Sequence, residues 1–245
     1  MLNRTTLAAL STFVALLTLS CTDDDSGMNS ATIYGSGILE NESRSLPAVH
    51  SIDLRLPGDV NLTYGQQQAI SVTADDNVLE HIETVDSSGI LIIRQAAGIS
   101  LSDYDLTVNL TLTDLQGIVC SAPGTIESTN TFEVESVGIE LSSSGLIILD
   151  VDADVVSTLL SGIGPITLTG AADVHSIVLS GTGTVQASEL NTGVTNVVLS
   201  GTGNVYVMVS DLLDVELSGT GSVYYQGNPA INSHITGEGG IIGPV

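Results

Sequence analysis

Leu179-Ser180-Gly181-Thr182-Gly183, Leu199-Ser200-Gly201-Thr202-Gly203 and Leu217-Ser218-Gly219-Thr220-Gly221 are near-identical pentapeptides in one stretch of the chain. Looser copies extend the series on both sides. Cys120-Ser121-Ala122-Pro123-Gly124, Leu141-Ser142-Ser143-Ser144-Gly145 and Leu160-Ser161-Gly162-Ile163-Gly164 precede them, and Ile235-Thr236-Gly237-Glu238-Gly239 follows. Successive offsets are 21, 19, 19, 20, 18 and 18 residues. That period is too short for a propeller blade, and it lacks the leucine-rich repeat pattern. It fits one coil of a β-helix: three short strands of about four residues separated by bends. Each strand then pairs in parallel with its equivalent one coil away, at about 4.8 Å. Glycine at fixed sites is expected to supply positive φ at the corner. Stacked Ser and Thr are expected to hydrogen-bond along the axis. The period drifts instead of keeping a six-residue unit, and crossover handedness favours the right-handed form. The expected fold is therefore all-β, a single-stranded right-handed parallel β-helix (a β-solenoid) with coils of 18 to 21 residues.

Period-two alternation continues upstream. Ile52, Leu54 and Leu56 share one face, as do Leu106, Val108, Leu110 and Leu112. Only residues 77–84 hint at a helical turn. A solenoid must hide its ends. The less regular residues 33–100 are expected to cover one, and the tail Ile241-Ile242-Gly243-Pro244-Val245 the other. Apolar residues make up 42% of the 245 while aromatics are 3%, which suits a narrow interior of Val, Ile, Leu and Ala.

Residues 1–20 read as a lipoprotein-type signal peptide, with Arg4 before a mostly apolar stretch from Leu7 to Leu19. That stretch is too short to span a bilayer comfortably. It ends in Thr18-Leu19-Ser20-Cys21, which resembles a bacterial lipobox with Cys21 as the lipidated residue. Residues 21–32 then form an acidic flexible tether containing Asp23-Asp24-Asp25, and residues 33–245 the solenoid. Thr22 after the lipidated cysteine favours outer-membrane sorting by the same resemblance, and the acidic run is similar to the export tag of surface lipoproteins. Lipidation of Cys21 leaves Cys120 without a disulfide partner, so it is expected to be a small buried hydrophobe. The membrane, through the N-terminal lipid, is then one partner.

The charge balance excludes other classes. Four Arg and no Lys stand against 28 Asp and Glu, a net charge of −24, so nucleic acid is not an expected partner. Asp150-Val151-Asp152-Ala153-Asp154 copies the first ligand positions of an EF-hand loop, but Val155 and Ser161 stand where Gly and Glu are needed. Asp150, Asp152 and Asp154 are thus weak calcium candidates, expected to share a solvated strand face; no other metal, cofactor or catalytic residue is read. His50, His81, His175 and His234 are scattered without zinc spacing. Ser in the repeated turn is scaffold, not a unique nucleophile. A polysaccharide lyase would want Arg or Lys in the coils, and none lies beyond Arg94. Thr182, Thr202 and Thr220 form one column, but Ile163 and Glu238 interrupt it, which argues against an ice-ordering face. Tyr206, Tyr224 and Tyr225 are expected in core or cap packing.

Seven motifs in order carry a family resemblance. Gly35-Ser36-Gly37, Leu56-Pro57-Gly58-Asp59-Val60, Asn77-Val78-Leu79 and Gly89-Ile90-Leu91-Ile92-Ile93 lie in the first half. Ser218-Gly219-Thr220-Gly221, Val223-Tyr224-Tyr225 and Gly227-Asn228-Pro229 close the series. Residues 35 to about 239 thereby resemble the bacterial putative autotransporter adhesin, head GIN domain family. The resemblance implies a right-handed parallel β-helix on exported or lipidated proteins, and it brings no catalytic residues. The expected function is a non-enzymatic cell-envelope lipoprotein of the outer membrane, surface-exposed, presenting an adhesion or interaction surface to a glycan or protein. A structural envelope lipoprotein without external ligand is the alternative, and a polysaccharide-acting enzyme a weaker one.

Overall fold

A computed structural model describes residues 31–244; the signal peptide, Cys21 and most of the expected tether lie outside the described residues. The N-terminal part contributes β1 (Ala31–Tyr34), β2 (Leu39–Arg44), β3 (Ser51–Leu54), β4 (Gly58–Tyr64), β5 (Ala69–Asp75), α1 (Asp76–Leu79), β6 (Ile82–Ser87), β7 (Ile90–Gln95), β8 (Ile99–Ser102) and β9 (Leu106–Leu112). Then come β10 (Gly117–Cys120), β11 (Gly124–Ser128), β12 (Phe132–Leu141), β13 (Leu146–Leu160), β14 (Ile166–Leu179), β15 (Thr184–Leu199), β16 (Asn204–Leu217), β17 (Val223–Gly227), β18 (Ala230–Ile235) and β19 (Ile241–Ile242). From β10 onward every pairing between successive coils is parallel. The fold is the expected parallel β-solenoid.

Inward residues stack into ladders because equivalent positions pair directly. Leu54, Cys120, Leu141, Leu160, Leu179, Leu199, Leu217 and Ile235 form one column. Beyond the turn, Val60, Ile126, Ile147, Ile166, Val185, Val205 and Val223 form another of β-branched residues. All of these except terminal Ile235 are buried, and each contributes roughly 1.5–3 kcal/mol of burial if its side chain is large.

The first column exposes a rung that the period conceals. Leu54-Arg55-Leu56-Pro57-Gly58 sits directly beneath the Cys120 turn, although 66 residues separate them. The chain leaves the solenoid after β4 and returns at β10. On the way, β7 pairs in parallel with β3 and β9 with β4, laying down a further rung out of sequence order. Antiparallel β2 and β5 join β9, and β6 joins β7, so this excursion covers the N-terminal end. Asp75 fastens it, accepting the amides of Gly37 and Asp105, and those bonds hold its carboxyl below the usual range. Strand β1 pairs with β8 and begins inside the stretch that reads as tether.

Three local expectations are corrected. The coils are not three separate short strands: β13 to β16 run for 15, 14, 16 and 14 residues, bending within a single strand. The tail is no lid, because Ile241 and Ile242 form β19, a rung paired with β17. Nor do the turn glycines serve mainly to supply positive φ. Among the turn copies only Gly124, in the first, has φ in the left-handed region, at +140°. At Gly203 an added Cβ would lie 1.8 Å from the Gly183 carbonyl oxygen, and at Gly181 2.1 Å from that of Gly162. Hydroxyls link the first copies, Ser121 Oγ donating to Leu54 O at 3.2 Å and Ser143 Oγ to Ala122 O at 2.8 Å, and backbone bonds tie the later turns together. Leu160 O accepts Ser180 N–H and Gly181 N–H at 3.0 and 3.2 Å; Gly162 O accepts Thr182 N–H and Gly183 N–H at 3.1 and 3.2 Å.

Candidate functional site

A second corner of the coil is marked by Gly170 and Gly227, with φ of +106° and +95°. Beside it runs an open groove of about 530 Å³ that crosses successive coils. Small residues make its floor: Ala153, Ala171, Ala172 and Gly193. Asp152, Asp173, Asn191, Ser210 and Asn228 stand around it.

The groove coincides with the register breaks that make the period drift. Between Ala187 and Asn191, β15 holds three residues with no counterpart on β16. Between Val209 and Leu212, β16 holds Ser210 and Asp211 against the single Gly193 of β15. The net difference, three minus one, is the two residues by which the coil starting at Ser180 exceeds the coil starting at Ser200. Extra residues at a corner cannot stack in a ladder, so they displace the chain and leave a concavity with a small apolar floor and a polar rim.

Chemically the groove offers acceptors. Asp152 and Asp173 bring carboxylates, Asn191 and Asn228 amides, and Ser210 a hydroxyl. With the last arginine at Arg94, no fixed positive charge comes from these coils. Such a surface suits hydroxyl-rich or amide-bearing partners.

The aspartates singled out in the sequence lie on β13. Val151 and Ala153 point inward, while Asp152 and Asp154 are exposed. Asp150 is committed to the fold, accepting Thr131 Oγ1–H at 2.6 Å and sitting where its own amide donates to Ser128 Oγ. Among the described residues no group of three His, Cys, Asp or Glu side chains is placed to hold a metal ion. Cys21, the lipidation candidate, lies outside the described residues. Cys120 is buried in the leucine column with its thiol on Ala122 O at 3.2 Å, and burial pushes its pKa up. Tyr225 packs against the core as expected. Tyr206 and Tyr224 do not: they stack on each other outside the coil, centroids 4.7 Å apart and 8° from parallel.

Sequence reading misses a polar seam inside the solenoid. His175 is fully buried between Val156 and Thr195 of the adjoining rungs. Its Nε2 meets Thr158 Oγ1 at 2.9 Å, and its Nδ1 has no partner. Thr192 Oγ1 and Thr195 Oγ1 meet at 2.7 Å, and Thr192 donates to Met208 O. Burial lowers the His175 pKa to about 3, so the ring is neutral. Alternation with Ile177 and Leu179 was the available signal.

A family described as putative auto-transporter adhesin, head GIN domain, matches residues 49–229. No curated protein matches. A putative adhesin from Bacteroides fragilis superposes with TM-score 0.81 at 20% identity, covering 85% of this chain and 98% of that one. A putative adhesin from Parabacteroides merdae gives 0.69 at 17% identity, with 87% and 100% covered. A putative lipid binding protein from Parabacteroides distasonis gives 0.71 at 19%, with 86% and 100% covered. At these identities the likeness is one of fold.

Proposed function

Because the chain belongs to the putative auto-transporter adhesin, head GIN domain family, we propose that it is an exported, non-enzymatic envelope lipoprotein whose solenoid presents a contact surface to a glycan or protein. The observation that carries this reading is the acceptor-rich groove on a backbone-locked rod. Its small-residue floor lets a partner approach the backbone, and its rim can take hydroxyl or amide donors from several coils at once. Placement supports the reading too. Strand β1 enters at the covered end, so a lipid on Cys21 holds that end and the coils project away from it. From the β7 rung to β18 there are eight steps, about 38 Å.

The lipid-binding name of one neighbour is said of that protein. In this chain the interior is filled by side-chain ladders and the groove is open, with carboxylates and amides on its rim, which gives less support to that reading. Two measurements test the proposal. Cys21→Ala should move the chain from the membrane to the soluble fraction, and unchanged fractionation removes the anchor. A deletion strain should lose binding to a glycan or host surface, with the wild-type chain restoring it and Asp173→Ala with Asn191→Ala failing to. Restoration by the doubly substituted chain would remove the groove from the reading, and depolymerisation of a polysaccharide panel by purified protein would end the non-enzymatic one.

A further inference from the structure

We propose that the C-terminal end of the solenoid docks a second copy of this chain, the two β18 strands pairing antiparallel about a two-fold axis at Ser233. The pairing stands on the end's own geometry; its adhesive consequence rests on the function proposed above. Among the described residues β18 pairs only with β16, and β19 only with β17, so one edge of each last rung keeps unpaired backbone N–H and C=O groups. Such an edge is a template for another strand. The core also stops open. Ile231 and Ile235 occupy the inward columns of Leu213 and Leu217, yet they are 42% and 44% exposed where those leucines are 0% and 1%. Among the described residues no rung lies above them.

The identity of the occupant follows from symmetry and charge. The N-terminal end finishes in the edge strands β2 and β6, which run antiparallel to their neighbours and carry Glu40, Glu42 and Glu83, so it does not continue the parallel rungs that end at β18. Two C-terminal ends can meet. A two-fold axis normal to the β18 sheet reverses the strand direction and keeps the inward faces on one side, so the two cores become continuous. With Ser233 on the axis, Ile231 lies opposite the second copy's Ile235, and outward Asn232 lies opposite its His234. Ile231 and Ile235 therefore meet inside on either side of inward Ser233, which continues the column of Val215, and no carboxylates face each other. Residues 217–237 contain no Asp or Glu, in a chain whose net charge of −24 sets copies against one another elsewhere. The covered end carries Glu40, Glu42, Asp76, Glu80 and Glu83, and although Arg44 pairs with Glu42 and Arg94 with Glu83, it stays net acidic. The neutral edge is thus where two copies repel least, and each supplies the strand that the other lacks.

Such a pair points its two N-terminal tethers in opposite directions, about 80 Å apart by the rung spacing. It joins facing membranes rather than neighbours in one membrane, which makes the solenoid a homophilic link.

The test uses the full chain carrying Cys21→Ala, which leaves buried Cys120 as the other thiol. Light scattering should show a dimer that dissociates on dilution. Ile231→Lys with Ile235→Lys should give monomer with an unchanged circular dichroism spectrum. Independently, Ser233→Cys should form a reducible dimer on mild oxidation, since directly opposed residues bring their Cα atoms to about 4.5–5.5 Å, within disulfide reach. Ser180→Cys, on an exposed turn, should not. A wild-type monomer at every concentration, a dimer indifferent to both lysines, or equal cross-linking from the two cysteines overturns the proposal; should the lysine variant misfold, the cross-link decides. In cells the lysine variant should abolish mutual clumping and leave binding to other surfaces intact. Monomeric wild-type chain that still restores surface binding would sink the pairing and leave the adhesive function standing.

Discussion

His175 places an ionisable ring in a buried column that otherwise holds Val137, Val156, Thr195 and Leu213, with only Thr158 to satisfy it. A neutral imidazole fills the column, but its orphaned Nδ1 costs stability and protonation would cost far more. The pH dependence follows from the two protonation states. Burial holds the folded pKa near 3, against 6.5 for the free side chain. Between those values the unfolded chain binds a proton that the folded chain refuses, so stability rises with pH. It is complete above about pH 6.5 and falls by about 1.4 kcal/mol per unit as acid is added. His175→Thr copies Thr195 of the next rung and removes the dependence. The unfolding free energy of this variant relative to wild type should therefore rise by about 2 kcal/mol from pH 7 to pH 5, the other groups cancelling in the difference. Urea titrations at the two pH values measure it, and a constant difference would show that the ring is not the source.

The repeating turn is held by steric exclusion as much as by hydrogen bonding, and this separates its residues sharply. Gly203→Ala forces a methyl group against the Gly183 carbonyl, which cannot yield without disturbing the N–H bonds that Gly181 O receives from Thr202 and Gly203. Destabilisation of at least about 2 kcal/mol is expected, in the range of overpacked cores. Thr202→Ala, in the same turn but exposed, should stay within about 0.5 kcal/mol. Equal effects in denaturant titration would mean that the close approach does not hold the turn. The same constraint explains what was legible. Glycine recurs in sequence because no other residue fits, so the coils announce themselves. The Leu54 rung does not, since Arg55, Leu56 and Pro57 replace the signature and the excursion stretches the offset to 66 residues, which hides the phase. The groove was also out of reach. Its shape comes from Ser188, Glu189 and Leu190 lacking counterparts on β16, a relation between rungs that no single segment displays. Strand alternation did place Val151 and Ala153 inside and Asp152 and Asp154 outside, but it could not reveal that Asp152 borders a concavity.

For the whole molecule, stability is close to a sum over rungs and their interfaces, because each coil contacts only its neighbours. Length is then adjustable in units of one coil, and only in such units. Deleting Ser180–Leu199 joins Leu179 to Ser200, bringing β14 and β16, 14 residues each, into direct apposition. The leucine column, the β-branched column and the glycine-lined turn all keep their phase. The buried Thr192–Thr195 pair leaves as a unit, and so does the strand that takes part in all three register breaks, leaving a one-residue difference between the joined coils to fall at the corner. This variant should fold cooperatively, with a parallel-β circular dichroism spectrum and a maximum dimension shorter by about 4.8 Å in solution scattering. Deleting Ser180–Glu189 alone removes half a coil. It leaves no turn between Leu179 and the following strand, and it sets the remainder of β15 out of phase with β14, so inward and outward faces no longer coincide. That chain should fail to give soluble folded protein. If both deletions behave alike, the rungs are not the independent units that the ladders imply, and the rod's stability must come from the covered N-terminal end.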